Sequence, residues 1–190
     1  MVLENAGIAF DWLDADVDEN TLKNKALLEK WPADKLAANL AIAKAEAAKT
    51  ATERSNPGTW DIFIGCDQLL SLNGIIFDKP KDLSEAAAHL RAFRGKVHHL
   101  VSAVVVLQNE TPPWSHIATT NMFVRQLSDA FIDDYVHNHN DGILSSVGAY
   151  RLEGYGAQLF EKIDGDYFTV LGLPLLPLLE ELRKRGILPV

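Results

Sequence analysis

Ile62-Phe63-Ile64-Gly65-Cys66-Asp67-Gln68-Leu69-Leu70 decides the reading of this chain. Ile62 to Ile64 has the composition of a short buried strand, set off upstream by the turn residues Ser55-Asn56-Pro57-Gly58. Gly65 follows, a residue suited to close backbone approach. Asp67 and Gln68 then interrupt an apolar run. A carboxylate in such a place must be paired, bound to a metal or turned into a cleft, because burying it bare is costly. Asn73-Gly74 is a two-residue hairpin signal, and Phe77-Asp78-Lys79-Pro80 lies on its far side. The hairpin is expected to put Asp67 and Lys79 on adjacent strands.

Working outward, 190 residues suffice for one domain or two small lobes with a real core. The chain is 47% hydrophobic and 23% charged, which is a globular composition. A formal net charge of −8 argues against a nucleic-acid polymer as partner, but leaves room for a small anion held by a few local cations or a metal. The single cysteine, Cys66, excludes an internal disulfide and a cysteine-based zinc site. No apolar run has the length of a membrane span and no signal peptide opens the chain, so no membrane partner and a cytoplasmic location are expected.

Toward the N-terminus, Met1 to Gly7 reads as a helix end, with Gly7 at its stop, and Ile8 to Leu13 as a strand. The acidic run Asp14, Asp16, Asp18, Glu19 is either a solvated loop or the source of one acid for a site. Asp34 to Thr50 is an alanine-rich helix with Leu36, Leu40, Ala43 and Ala47 as its apolar stripe. Lys44 flanks that stripe, and the simpler reading is that it snorkels to water. Toward the C-terminus, Asp82 and Glu85 form a helix start, and that helix stops before Gly95. Val97 to Leu107 is a central strand, Asn109 to Pro113 a loop and Ile117 to Leu127 another strand. Ser128 caps the next helix. Ser145 to Gly156 is a glycine-rich loop, Gln158 to Ile163 a strand and Gly165-Asp166 a turn. The last helix begins near Pro174 and ends before Gly186. Interleaved strands and helices give an α/β or α+β fold with a mixed sheet, of which α/β is the expected class.

Few residues here carry chemistry by motif. No phosphate-binding glycine loop and no nucleophile elbow is present. Cys66 reads as a buried, inert thiol. His98 and His99, adjacent in a strand, point to opposite faces and cannot share one metal. What is left is Glu19, Lys44, Asp67 and Lys79. Acids hold a hard divalent cation or activate water, and lysines neutralise phosphate oxygens. The set suits hydrolysis of a phosphoanhydride.

The run Gly65-Cys66-Asp67-Gln68, with Asp78-Lys79-Pro80, Glu85-Ala86, Leu90, Gly95 and His98, resembles the Maf family of nucleoside triphosphate pyrophosphatases, first described as septum-formation inhibitors. Asp16-Val17-Asp18-Glu19, Lys44-Ala45, Ser146-Val147-Gly148-Ala149-Tyr150, Gly154-Tyr155-Gly156-Ala157, Ile163-Asp164-Gly165-Asp166 and Val170-Leu171-Gly172-Leu173-Pro174-Leu175 are similar to further family motifs, in order along the chain. The resemblance implies one Maf-like domain over residues 1–190: an elongated, mixed, twisted sheet flanked by helices, in two lobes with a central cleft. It implies hydrolysis of a nucleoside triphosphate to the monophosphate and pyrophosphate with a divalent metal, magnesium or manganese, and suggests a homodimer. Asp67 would be the proton acceptor. Glu19 and Asp67 would hold the metal, and Lys44 and Lys79 would contact phosphates. A nucleotide-binding regulator linked to division arrest, without turnover, is the alternative.

Two departures from the common pattern carry information. Gln68 stands where the family usually has threonine, and Glu153 where it usually has glutamine; both resemble the branch associated with 7-methyl-GTP. They make Gln68 and Glu153 the expected substrate-binding pair. A carboxylate at Glu153 would suit the positive ring of a methylated guanine and accept hydrogen bonds from its N1–H and exocyclic amine. The chain also starts inside what resembles the family's first helix, so an upstream strand and a Ser-x-Ser-x-x-Arg loop are expected in the natural gene product.

Overall fold

The structure is a computed structural model that describes residues 2–14, 16–55, 58 and 62–190. Asn56 and Pro57 of the turn expected before the central strand, and Met1 of the first helix, lie outside the described residues. The elements in chain order are α1 (Val2–Asn5), α2 (Glu19–Leu28), α3 (Ala33–Ser55), β1 (Ile62–Leu72), β2 (Ile75–Phe77), α4 (Leu83–Phe93), β3 (Val97–Gln108), β4 (Thr111–Val124), α5 (Asp129–Asn138), β5 (Phe160–Asp164), α6 (Tyr167–Val170) and α7 (Leu175–Lys184). The strands form one antiparallel sheet in the order β2-β1-β3-β4-β5.

The α/β class is as expected. The sheet is antiparallel where a mixed one was expected, because its tight connections are hairpins. Asn73 and Gly74 close β1 onto β2 with φ of 52° and 80°, both left-handed, as a two-residue turn of matching twist requires. Leu72 then pairs with Ile75 and Leu70 with Phe77. β3 and β4 are joined by Asn109 and Glu110 alone, so the expected five-residue loop is strand from Thr111 on. Pro112 and Pro113 are tolerated there because β5 pairs β4 only along Asn121–Val124, which leaves the proline end an edge.

The chain divides into two compact units, and β1, β3 and β4 each contribute residues to both. The first comprises residues 1–68, 102–118 and 167–190. Its apolar centre is formed by Val104 and Val106 of β3 with Leu173, Leu175, Leu178 and Leu182, and Ile62 and Ile64 pack against it. Arg185 ties the end of α7 to the β3–β4 turn through Gln108 Oε1 (3.1 Å) and the Pro112 carbonyl (3.2 Å). The second comprises residues 69–101 and 119–166. Here α4 packs on α5, with Arg91 bridging to Asp133 at 2.7 Å. Asp82 caps α4, its Oδ1 accepting from Glu85 N at 2.8 Å, and Ser128 caps α5 through Phe131 N at 3.1 Å.

Other expectations need correction. Residues 8–13 are irregular, not a strand; Phe10, Trp12 and Leu13 are exposed and only Ile8 joins a core. α3 runs five residues past Thr50, and its buried face is Leu36, Ala37, Leu40, Ala41 and Ala45, with Ala43 and Ala47 half-buried. Lys79 is exposed and lies beyond the end of β2, not on it. Cys66 is exposed, not buried.

Candidate active site

The site in the first unit begins with a missing side chain. A Cβ on Gly65 would lie 2.1 Å from the Ala41 carbonyl oxygen and 2.6 Å from Ala45 N. Only glycine lets α3 lie this close to β1. Side chains alternate along a strand, so Asp67 faces the same way as Gly65, toward α3. Lys44, one residue before Ala45, meets it: Lys44 Nζ donates to Asp67 Oδ1 at 2.5 Å. The third member comes from α2. Asp18 caps that helix, accepting from Thr21 N at 3.0 Å, which sets Glu19 at its first turn. Glu19 Oε1 lies 3.0 Å from Lys44 Nζ, and Lys23, one turn further along, stands 3.6 Å from Glu19 Oε2.

Burial acts on this cluster unevenly. The Asp67 side chain is 9% exposed, against 29% for Lys44 and 39% for Glu19. Burial raises the Asp67 pKa above the ordinary aspartate value, and the Glu19 charge adds to the rise; Lys44 opposes it without cancelling it. At Glu19 burial also pushes upward, but Lys44 and Lys23 outweigh it and the net shift is down. Burial works against the Lys44 ammonium, yet Asp67 and Glu19 hold its pKa above the usual lysine value. The result is a firm cation between one carboxylate held below its usual pKa, Glu19, and one of raised basicity, Asp67. Cys66, next in the strand, is not activated: crowding by protein atoms raises its thiol pKa, and the Asp67 charge adds to this.

Glu19 and Asp67 are the acids here that could hold a hard divalent cation; each offers an oxygen to the Lys44 ammonium, at 3.0 and 2.5 Å. Among the described residues no group of three or more His, Cys, Asp or Glu side chains is arranged to hold a metal. Two carboxylates, with phosphate oxygens and water completing the shell, is how magnesium is commonly bound.

Gln68 faces away from Asp67. Its amide nitrogen donates to Ser102 Oγ (2.9 Å) and to the carbonyls of Thr169 (2.7 Å) and Val170 (3.3 Å). Ser102, fully buried, also donates to Thr169 O at 2.9 Å. The amide thus fastens α6 to the strand beside Asp67. Lys79 and Glu153 belong to the second unit, both exposed. Glu153 lines a cavity of about 300 Å³ with Tyr135, His139, Arg151 and Tyr155 among its walls. The structure therefore brings Glu19, Lys44 and Asp67 together, while Gln68, the next residue of β1, is turned toward Ser102 and α6. Sequence reasoning missed Lys23, Ser102 and the cavity. The Glu19–Lys23 spacing on a capped helix was the available signal for the first. Ser102 and the cavity are tertiary and leave none.

The Maf-like protein family model matches residues 1–185. The chain belongs to this family. It is 46% identical over 185 residues to the 7-methyl-GTP pyrophosphatase of Rhizobium meliloti (strain 1021), covering 97% of this chain and 90% of that protein. It is 45% identical over 188 residues to a nucleoside triphosphate pyrophosphatase of Hyphomonas neptunium, covering 99% and 91%. A nucleoside triphosphate pyrophosphatase of Caulobacter vibrioides matches at 44% over 190 residues, covering 100% and 92%.

Proposed function

We propose that this Maf-family chain hydrolyses nucleoside triphosphates at the α–β anhydride, releasing the monophosphate and pyrophosphate, with 7-methyl-GTP as a favoured substrate. The observation that carries the reading is the Lys44 ammonium bound to both Glu19 and Asp67. Pyrophosphatase names among relatives at about 45% identity support turnover over the regulatory alternative.

Each residue has a task that its surroundings explain. Asp67 takes the proton from the attacking water; burial makes it a stronger base than a solvated aspartate, and Lys44 favours its charged form. Lys44 also offers positive charge to the phosphate chain. Glu19 and Asp67 would hold a magnesium or manganese ion, which supplies Lewis-acid neutralisation of the phosphate oxygens. Gln68 sets α6 through its amide nitrogen; its contact with substrate rests on the resemblance alone. Lys79 as a phosphate contact rests on the resemblance alone. Glu153 reads the base, its carboxylate complementing a cationic methylated guanine; its place on the wall of a cavity supports this.

A homodimer and a cytoplasmic location, where nucleotides are available, belong to the same reading and rest on the family resemblance. Among the described residues no helix is long and apolar enough to cross a membrane. The test is product analysis with magnesium and a panel of ordinary and 7-methylated triphosphates. Equal amounts of pyrophosphate and monophosphate are expected, fastest from 7-methyl-GTP. Binding without turnover, or orthophosphate as the product, contradicts the proposal.

A further inference from the structure

We propose that His98 is a positioning residue for base discrimination, acting through a buried hydrogen bond to Tyr150 that fixes the segment bearing Glu153. The inference rests on the reading of Glu153 as the base-contacting residue.

His98 is fully buried in the part of β3 that belongs to the second unit. Its Nε2 and the Tyr150 hydroxyl lie 2.7 Å apart, while Nδ1 has no hydrogen-bond partner among the described residues. The rings of Phe93, Tyr150 and Phe160 surround the imidazole, with centroids 4.9, 5.7 and 6.0 Å away. In that setting an apolar side chain of similar volume would fill the space without leaving a ring nitrogen unpaired. What histidine adds over such a residue is direction: it fixes where the Tyr150 hydroxyl sits. Burial holds the His98 pKa down at about 3 and the Tyr150 pKa well above its ordinary value, so the bond joins two neutral groups at neutral pH.

Tyr150 in turn fixes the chain that follows it. Its ring closes over Gly148, where a Cβ would lie 2.2 Å from the ring carbon Cε1, and Ala149 between them takes φ of 56°. At the far end, Gly156 lies under the Arg151 backbone, where a Cβ would sit 2.5 Å from the Arg151 oxygen. The stretch 151–155 is therefore pinned at both ends. It supplies Arg151, Glu153 and Tyr155 to the cavity wall, and Tyr155 is itself stacked on His139, centroids 3.6 Å apart and planes 8° from parallel. Releasing the Tyr150 hydroxyl loosens the upstream pin while the core remains filled.

The experiment measures kcat and KM for 7-methyl-GTP and for UTP in Tyr150→Phe, His98→Leu and His98→Gln, well below each variant's melting temperature, with Glu153→Gln alongside. Tyr150→Phe and His98→Leu should lower the preference for 7-methyl-GTP about fivefold or more, the factor that one ordinary hydrogen bond corresponds to. The change should appear in KM for 7-methyl-GTP more than in kcat. His98→Gln, which keeps a polar group for the tyrosine, should recover part of the preference. An unchanged preference in Tyr150→Phe and His98→Leu, with only a lower melting temperature, overturns the proposal and leaves His98 as a packing residue. If Glu153→Gln shifts the preference and the other two do not, positioning fails while the Glu153 reading stands. If Tyr150→Phe shifts it and Glu153→Gln does not, positioning stands and another group on the segment reads the base.

Discussion

Asp67 is one residue under two opposing influences. Burial, with the Glu19 charge behind it, raises its pKa, and Lys44 lowers it. Each neighbour can be removed separately, so the opposition is testable. In metal-free protein, Lys44→Met should move the Asp67 carboxyl titration to higher pH, and Glu19→Gln should move it lower. Carbon-detected NMR titration of the Asp67 side chain reads both; shifts of the same sign in the two variants would refute the account. Glu19 and Asp67 could be suspected from the sequence because acids in an acidic run or an apolar run need a reason. Lys44 could not be placed. Helical spacing shows that it flanks an apolar stripe, but not which strand lies across from it. The simpler reading, a lysine snorkelling to water, is corrected by the partner 23 residues away.

At the scale of elements, the contact that matters is α3 on β1 at Gly65. Gly65→Ala would drive a methyl group into the Ala41 carbonyl, which is backbone and cannot swing aside. We expect a loss of about 1–3 kcal/mol or more, as for other overpacked sites. Activity should fall further than stability predicts, because the helix would retreat and take Lys44 with it. Urea unfolding beside pyrophosphate release checks both; a fully stable, fully active variant would mean that α3 can shift freely. Elements declared by local chemistry were legible in the sequence: the Asn73-Gly74 hairpin, the Asp82 and Ser128 caps, and the buried run of β3. Two others were not. α2 buries only Ala26 and leaves Leu27 and Leu28 exposed, so it lacks the apolar periodicity that identifies a helix; its Asp18 cap was the remaining sign. Residues 8–13 have strand-like composition, yet a strand needs a sheet edge to join, and the edges of this sheet are β2 and β5.

For the whole molecule, the α/β class follows from alternating patterns, but strand direction does not. α4 leads from β2 to β3 across the intervening β1, while every neighbouring pair remains antiparallel; that order is set by which edges the apolar faces cover, information spread over the entire chain. Stability as a whole should carry the mark of His98. Its folded pKa of about 3 lies below the ordinary histidine value of 6.5, so the unfolded chain binds more protons between those limits. The stability it contributes is fully present above pH 6.5 and drains away as pH falls toward 3, at up to about 1.4 kcal/mol per pH unit. Wild type should therefore lose stability relative to His98→Gln over that window, measured by denaturant unfolding at several pH values; parallel curves would show that His98 is not buried neutral. The central claim is that Asp67 is the base for water attack on a nucleoside triphosphate. Its most direct test is pyrophosphate release by Asp67→Asn with 7-methyl-GTP and magnesium, with folding verified by circular dichroism. The account predicts a folded protein slowed about 10²–10⁴-fold, the usual cost of losing a general base; a folded variant releasing pyrophosphate at the wild-type rate would contradict it.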